Sequence, residues 1–154
     1  MLNAQQSAPA FSVVDENNAL VSLAGFKGDK NLVLYFYPKD DTPGCTIEAN
    51  QFTQYIDEFS ALDTVVYGVS KDNCVSHIDF INKFALQVGL LADTDGKLCD
   101  AYGVWQEKEK KGVKKMGIVR STFVIDKDGV IRYAEYGVVA EGHAQLILDV
   151  VKKL

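Results

Sequence analysis

The segment Asn31-Leu32-Val33-Leu34-Tyr35-Phe36-Tyr37-Pro38-Lys39-Asp40-Asp41-Thr42-Pro43-Gly44-Cys45-Thr46 decides how the rest of the chain is read. Residues 31–37 have the length and the β-branched and aromatic content of a strand buried on both faces. Pro38 stops that strand, because proline cannot donate to the ladder. A helix start follows. Thr42 suits the cap, Pro43 suits the first helical position, and the residues beyond continue with helical spacing. Cys45 therefore falls in the first turn of a helix, at the C-terminal edge of a sheet. There the exposed N–H groups and the positive helix end favour a thiolate over a thiol. Gly44 leaves the backbone open to a small substrate beside the sulfur, and Thr42 places a hydroxyl one turn back. The layout suits an activated sulfur nucleophile with donors around it. The plainer reading is a small buried hydrophobic cysteine.

Outward from this segment the periodicity is regular. Phe11–Val14 and Leu20–Leu23 flank the turn-rich Asp15-Glu16-Asn17-Asn18 and read as a hairpin. Residues 1–9 are polar and read as loose. Apolar residues at Ala49, Phe52, Tyr55, Ile56 and Phe59 extend the Cys45 helix to about residue 60. Residues 64–70 form the next strand. Asp72 or Asn73 caps a second helix, with Ile78, Ile81, Phe84 and Ala85 as its buried face. A short strand at 90–92 and a short helix from about Lys97 to Tyr102 follow. Residues 106–115 hold five lysines and read as a solvated loop or exposed hairpin tip, a docking patch for an acidic partner being the sharper alternative. Strands 119–126 and 130–136 form a hairpin around Asp126-Lys127-Asp128-Gly129. A final helix from about Glu141 carries Ala144, Ile147, Val150, Val151 and Leu154 on one face. Strand–helix–strand units followed by an antiparallel hairpin imply an α/β fold, a mixed sheet with helices on both faces.

The 154 residues suffice for one domain with a real core, and no linker or repeat divides them. A net charge of −5 gives no general attraction to nucleic acid or to an anionic membrane. No run is apolar and long enough to span a bilayer, and Met1–Ser7 does not read as a signal peptide. Three cysteines, Cys45, Cys74 and Cys99, argue against a disulfide framework and for a reducing, cytoplasmic setting.

Two separated stretches carry a family resemblance. Tyr37–Ala49 resembles the active-site segment of peroxiredoxins, above all the bacterioferritin-comigratory-protein (PrxQ) subfamily, and Arg120–Asp126 resembles the family's second motif. The likeness runs from about Pro9 to the C-terminus. It implies a thioredoxin-like fold with an N-terminal β-hairpin extension, spanning 1–154 as a single domain. It also implies a peroxidase that reduces hydrogen peroxide and organic hydroperoxides without cofactor or metal. Cys45 would be the peroxidatic cysteine, becoming a sulfenic acid. Pro38 would shield it, Thr42 and the Gly44 and Cys45 N–H groups would bind the peroxide, and Arg120 would stabilise charge on the oxygens. Glu48 would orient the arginine. A monomer, or a weak dimer, is implied.

Recycling is where the chain departs from the pattern. Many relatives carry a resolving cysteine five residues after the peroxidatic one; this chain has Asn50. Cys74 is the better internal candidate, because parallel strands 31–37 and 64–70 would bring both cysteines to one sheet edge. Relatives that resolve from that helix do so nearer Ile81, and a bridge needs Cα atoms within about 7 Å. Cys99 reads as core filler. Two routes stay open: one-Cys chemistry with an external thiol, or Cys74 resolving Cys45 with thioredoxin as reductant. Other functions are weaker fits. A thioredoxin-type disulfide oxidoreductase needs Cys-x-x-Cys, and Cys45-Thr46-Ile47-Glu48 has one sulfur. Cys74 and His77 have a metal-ligand spacing without a second pair, so His77 and His143 read as surface or helix-face residues. A non-enzymatic redox sensor would use the same sulfur without fast recycling.

Overall fold

The computed structural model describes residues 1–154. Its centre is the strand β3, Asn31–Phe36, buried at every position as its unbroken apolar content requires. On one side β3 pairs in parallel with Thr64–Ser70, and that strand pairs in parallel with Gly89–Ala92. On the other side β3 pairs antiparallel with Ser121–Ile125, which pairs antiparallel with Ile131–Tyr136. With the N-terminal hairpin Ser12–Val14 and Leu20–Ser22 as β1 and β2, these strands are β4, β5, β8 and β9, and the sheet order is β5-β4-β3-β8-β9. The strands β6, Trp105–Lys110, and β7, Val113–Ile118, form a separate two-stranded sheet.

Alternation along β3 divides the core between the two faces. Val33, Tyr35 and Tyr37 point to the layer of α1 (Pro43–Gln54), α2 (Ile56–Ala61), α3 (Cys74–Phe84) and α5 (His143–Lys152). Leu32, Leu34 and Phe36 point to α4 (Lys97–Ala101), the N-terminal segment and β1. Each large side chain so buried contributes roughly 1.5–3 kcal/mol. On the α1 side, Phe52 stacks on Tyr35 with ring centres 4.6 Å apart and fixes the helix over the sheet. This is the thioredoxin-like α/β fold with its N-terminal hairpin.

Several elements differ from the sequence-based expectation. The helix expected to reach residue 60 is two helices, broken at Tyr55. The bend keeps Tyr55 and Ile56 against the core while Phe59 is fully buried. Residues 1–9 are not loose. Gln5 and Ala8 donate to the Ile131 and Gly129 carbonyls, so the segment satisfies groups on the exposed side of β9. Of the two readings of the lysine-rich stretch, solvated loop or exposed hairpin tip, the second holds: it is a regular hairpin, its tip Lys111-Gly112 left-handed at both residues as a two-residue turn needs. The buried face of α3 is wider than expected: Ile81 and Phe84 pack on the core, His77 and Phe80 are fully enclosed beside them, and Ala85 is exposed and left-handed at the helix end.

Candidate active site

The parallel pair β3–β4 ends in two loops that lead into α1 and α3. In the first, Pro38–Thr42, Asp41 is left-handed and Thr42 is extended at the cap position. Thr46 N–H closes the first turn on the Thr42 carbonyl at 2.9 Å. The Thr42 hydroxyl does not cap the helix; it donates to the Lys39 carbonyl at 2.9 Å. Pro43 has no N–H, and the N–H groups of Gly44 and Cys45 have no acceptor in the protein. Two free donors therefore lie at the helix start that carries the sulfur of Cys45, a residue only 1% exposed.

Arg120 reaches this turn from between β7 and β8. Gly137 and Val138 both donate to its carbonyl, which holds its backbone in place. One arm of its guanidinium, Nη1, donates to Glu48 Oε1 at 2.7 Å, and the other, Nη2, donates to Cys45 Sγ at 3.3 Å. A lysine cannot make both contacts in this fixed fork. Gly44 is small for this reason as much as for a substrate: a Cβ there would stand 3.0 Å from Arg120 Nη2. Glu48 lies one turn after Cys45 on α1, is fully buried, and has no partner for Oε2. Burial pushes its carboxyl up to about 7 against the pull of Arg120. Burial opposes the charge on Arg120, but Glu48 and Cys45 outweigh it and leave a net rise.

Pro38 borders a groove of about 550 Å³ roofed by the β6–β7 hairpin, with Lys71, Lys108, Lys110 and Lys115 around Trp105, Met116 and Ile118. Lys108 Nζ donates to the Ile118 carbonyl at 2.8 Å. Its charge is disfavoured first by burial and then by Arg120, and is favoured by Cys45.

Thr42, Gly44, Cys45, Glu48 and Arg120 thus stand together, with Pro38 in the loop ahead of them on the wall of the neighbouring groove. Cys74 stands apart from them. It opens α3 at the same sheet edge, but its thiol donates to the Asp15 carbonyl of the N-terminal hairpin at 3.3 Å. That hairpin meets β5, whereas Cys45 is held from the β8 side of β3. Cys99 is enclosed in the second core layer, and burial with Asp93 beside it drives its thiol strongly upward.

Both histidines are buried, against the surface placement expected for them. His77 Nδ1 meets Asp40 Oδ2 at 2.7 Å and Nε2 meets the Leu91 carbonyl at 3.0 Å, so neither ring nitrogen is free for a metal. His143 Nε2 meets Thr122 Oγ1 at 2.8 Å. Enclosure made these polar side chains tolerable only through those partners. Helical spacing holds no signal for them, since the partners lie 37 and 21 residues away.

A thiol held by an arginine at a helix start, on this fold, defines a thiol-based redox protein. Residues 4–134 match the AhpC/TSA family. The chain is 46% identical over 124 residues to peroxiredoxin Bcp of Bacillus subtilis, covering 80% of this chain and 78% of that one. It is 37% identical over 152 residues to peroxiredoxin Bcp of Escherichia coli, covering 99% and 97%. Peroxiredoxin Q of Xanthomonas campestris superimposes with a TM-score of 0.88 at 35% identity, over 93% of this chain and 90% of that one. The chain belongs to the AhpC/TSA family of peroxiredoxins, in its PrxQ/Bcp branch, and is a thiol-dependent peroxidase.

Proposed function

We propose that Cys45 is the peroxidatic cysteine and that it reduces hydrogen peroxide and organic hydroperoxides. The observation that carries this is the Arg120 Nη2–Cys45 Sγ contact at 3.3 Å beside two N–H groups without acceptors. The thiolate attacks the terminal peroxide oxygen. An S–O bond forms, the O–O bond breaks, and the alkoxide or hydroxide leaves and takes a proton from water. Cys45 ends as a sulfenic acid. The Gly44 and Cys45 N–H groups and Arg120 meet charge building on the oxygens. The Thr42 proton is committed to Lys39, so its oxygen presents lone pairs that accept from the peroxide O–H. Pro38 shields the sulfur, and Glu48 orients Arg120 through the contact at 2.7 Å.

Recycling by an external thiol, thioredoxin or another reductant, is the route we favour. The Cys74 thiol is turned toward Asp15, which supports the one-Cys reading over resolution by Cys74. An attacking thiol displaces water from the sulfenic sulfur, and a second thiol releases Cys45 from the mixed disulfide. We read residues 1–154 as a single, monomeric peroxiredoxin domain of the cytoplasm without a nucleic-acid or membrane partner. Three unpaired cysteines and a net charge of −5 support that reading, and no helix is long and apolar enough to cross a membrane. Stopped-flow reaction of the reduced protein with hydrogen peroxide, with mass analysis of the product, is the test. Fast loss of one thiol at Cys45 is the expected result, and Cys45→Ser abolishes it. A rate no better than that of a free thiol would reject the assignment.

A further inference from the structure

The β6–β7 hairpin holds five lysines within residues 106–115, and the peroxide chemistry above uses none of them. Along β6 the order Glu107-Lys108-Glu109-Lys110 alternates in sign, and pleating sends alternate side chains to opposite faces. Residues directly opposite each other across the two strands share a face. Glu107 pairs with Met116 and Glu109 with Lys114, so both carboxylates lie on one face. Lys108 pairs with Lys115 and Lys110 with Val113, so the other face carries lysine and no acid. Charges that nearly cancel along β6 are thus separated across the ribbon.

The basic face lines the groove of about 550 Å³ that Pro38 borders, at the start of the loop leading to Cys45. Lys71, just after β4, joins it, with Nζ 4.1 Å from the centre of the Trp105 ring. Four lysines and no carboxylate line this groove, in a chain whose net charge is −5. Setting Lys108 against Lys115 costs stability. The strands that bear the pair are largely exposed and bond only to each other, so the fold gains nothing from it. Six strand residues reach about 20 Å, the scale of a protein surface rather than of a peroxide.

We propose that the basic face of β6–β7 is the docking surface for the reductant, a protein thiol ringed by acidic side chains. The field of the four lysines steers such a partner to the edge of the molecule where Cys45 lies. Hydrogen peroxide carries no charge and gains nothing from that field. A charge-guided contact suits a partner that must leave after each turnover, and transient redox encounters bury little surface. Once docked, the partner's thiol attacks the sulfenic sulfur: an S–S bond forms, the S–O bond breaks and the oxygen leaves as water. The partner's second thiol then attacks the mixed disulfide, which leaves the partner oxidised and Cys45 reduced. The docking rests on the external-thiol route proposed above.

The full chain is compared as wild type, K110E/K115E on the basic face, and K152E/K153E, which makes the same charge change at the end of α5. After oxidation with hydrogen peroxide, each is reduced either by an acidic thioredoxin or by dithiothreitol, which is uncharged. The ratio of the two rate constants is read at about 0.01 M and 0.1 M salt, where the screening length falls from about 30 Å to 10 Å. For wild type the ratio is expected to drop several-fold as salt rises. K110E/K115E is expected to lower it about tenfold at low salt and to lose the salt dependence. K152E/K153E stays within about twofold of wild type. A ratio unmoved by K110E/K115E, an equal fall in K152E/K153E, or a wild-type ratio indifferent to salt would overturn the docking surface. An effect of K110E/K115E on a carboxylate-bearing hydroperoxide instead of on thioredoxin would give the groove to the substrate and equally overturn it. If wild type ignores peroxide, or mass analysis finds a Cys45–Cys74 disulfide, it is the reading of Cys45 or of its recycling that fails. An NMR titration with oxidised thioredoxin then decides the docking by itself. Amide shifts centred on residues 105–118 and abolished by K110E/K115E uphold it; shifts elsewhere, or none, overturn it.

Discussion

Arg120 shows how much one residue's shape matters here. Its two nitrogens serve two partners at once, Glu48 at 2.7 Å and Cys45 at 3.3 Å. A lysine delivers one charge to one place. Arg120→Lys is therefore expected to lower the peroxide rate constant by about 10²–10³, the usual loss for one missing transition-state donor. Stopped-flow with hydrogen peroxide measures it. Gly44→Ala acts on the same group by pushing Nη2 away from a Cβ that would stand 3.0 Å from it. Thr42 offers a cleaner separation of roles, since its hydroxyl does not cap α1. Thr42→Val is expected to slow the peroxide step about 10–100-fold with little change in the urea midpoint, and Thr42→Ser to restore the rate. A large stability loss in Thr42→Val would instead mark the hydroxyl as part of the scaffold.

Among the elements, α1 and the β6–β7 hairpin stand at opposite extremes. The α1 start is held on Arg120 through both Cys45 and Glu48, and the loop before it is tied to α3 through Asp40 and Asp41, so its geometry is over-determined. The hairpin pairs only with itself and exposes most of its length. Lys108 faces Lys115 across it, a like-charge pair that costs rather than adds stability. Replacing residues 109–114 with a two-residue turn is expected to change unfolding free energy by less than about 1 kcal/mol. A urea titration checks this, and a loss several times larger would show that the hairpin tip supports the core. The lysine spacing alone did not reveal this hairpin as a separate sheet. Lysine-rich alternation reads equally as a solvated loop or an exposed hairpin tip until the two strands are seen to pair.

Across the whole molecule, two buried titratable groups oppose each other as pH changes. Burial lowers His143 from an ordinary 6.5 to about 4, so its contribution to stability is complete above 6.5 and is lost as pH falls toward 4. Burial raises Glu48 from 4.5 to about 7, so its contribution is complete below 4.5 and is lost as pH rises through 7. Between these values the two slopes have opposite sign, and the wild-type stability curve is expected to be shallow there. His143→Gln keeps a donor for Thr122 and removes one slope. On going from pH 7 to pH 4.5 it should gain roughly 2 kcal/mol relative to wild type, seen in urea midpoints. No relative gain would mean that His143 is already protonated in the folded state.

Taken alone, the amino-acid order determined whatever depends on neighbours a few residues apart. The central strand, its stop at Pro38, the helix start at Pro43 and the place of Cys45 within it all follow from local sterics and spacing. Arg120 was legible only because its surroundings resemble a known motif; nothing in its local spacing marks it. The tertiary structure decided what that arginine touches, that Glu48 is enclosed, and that Cys74 turns toward Asp15. It also decided that His77 and His143 lie inside, and that residues 1–9 are bound to β9. Each of these outcomes needs contacts between residues tens of positions apart. Such contacts form only when two faces of a sheet have been covered, and a buried polar group is then kept wherever a partner is within reach.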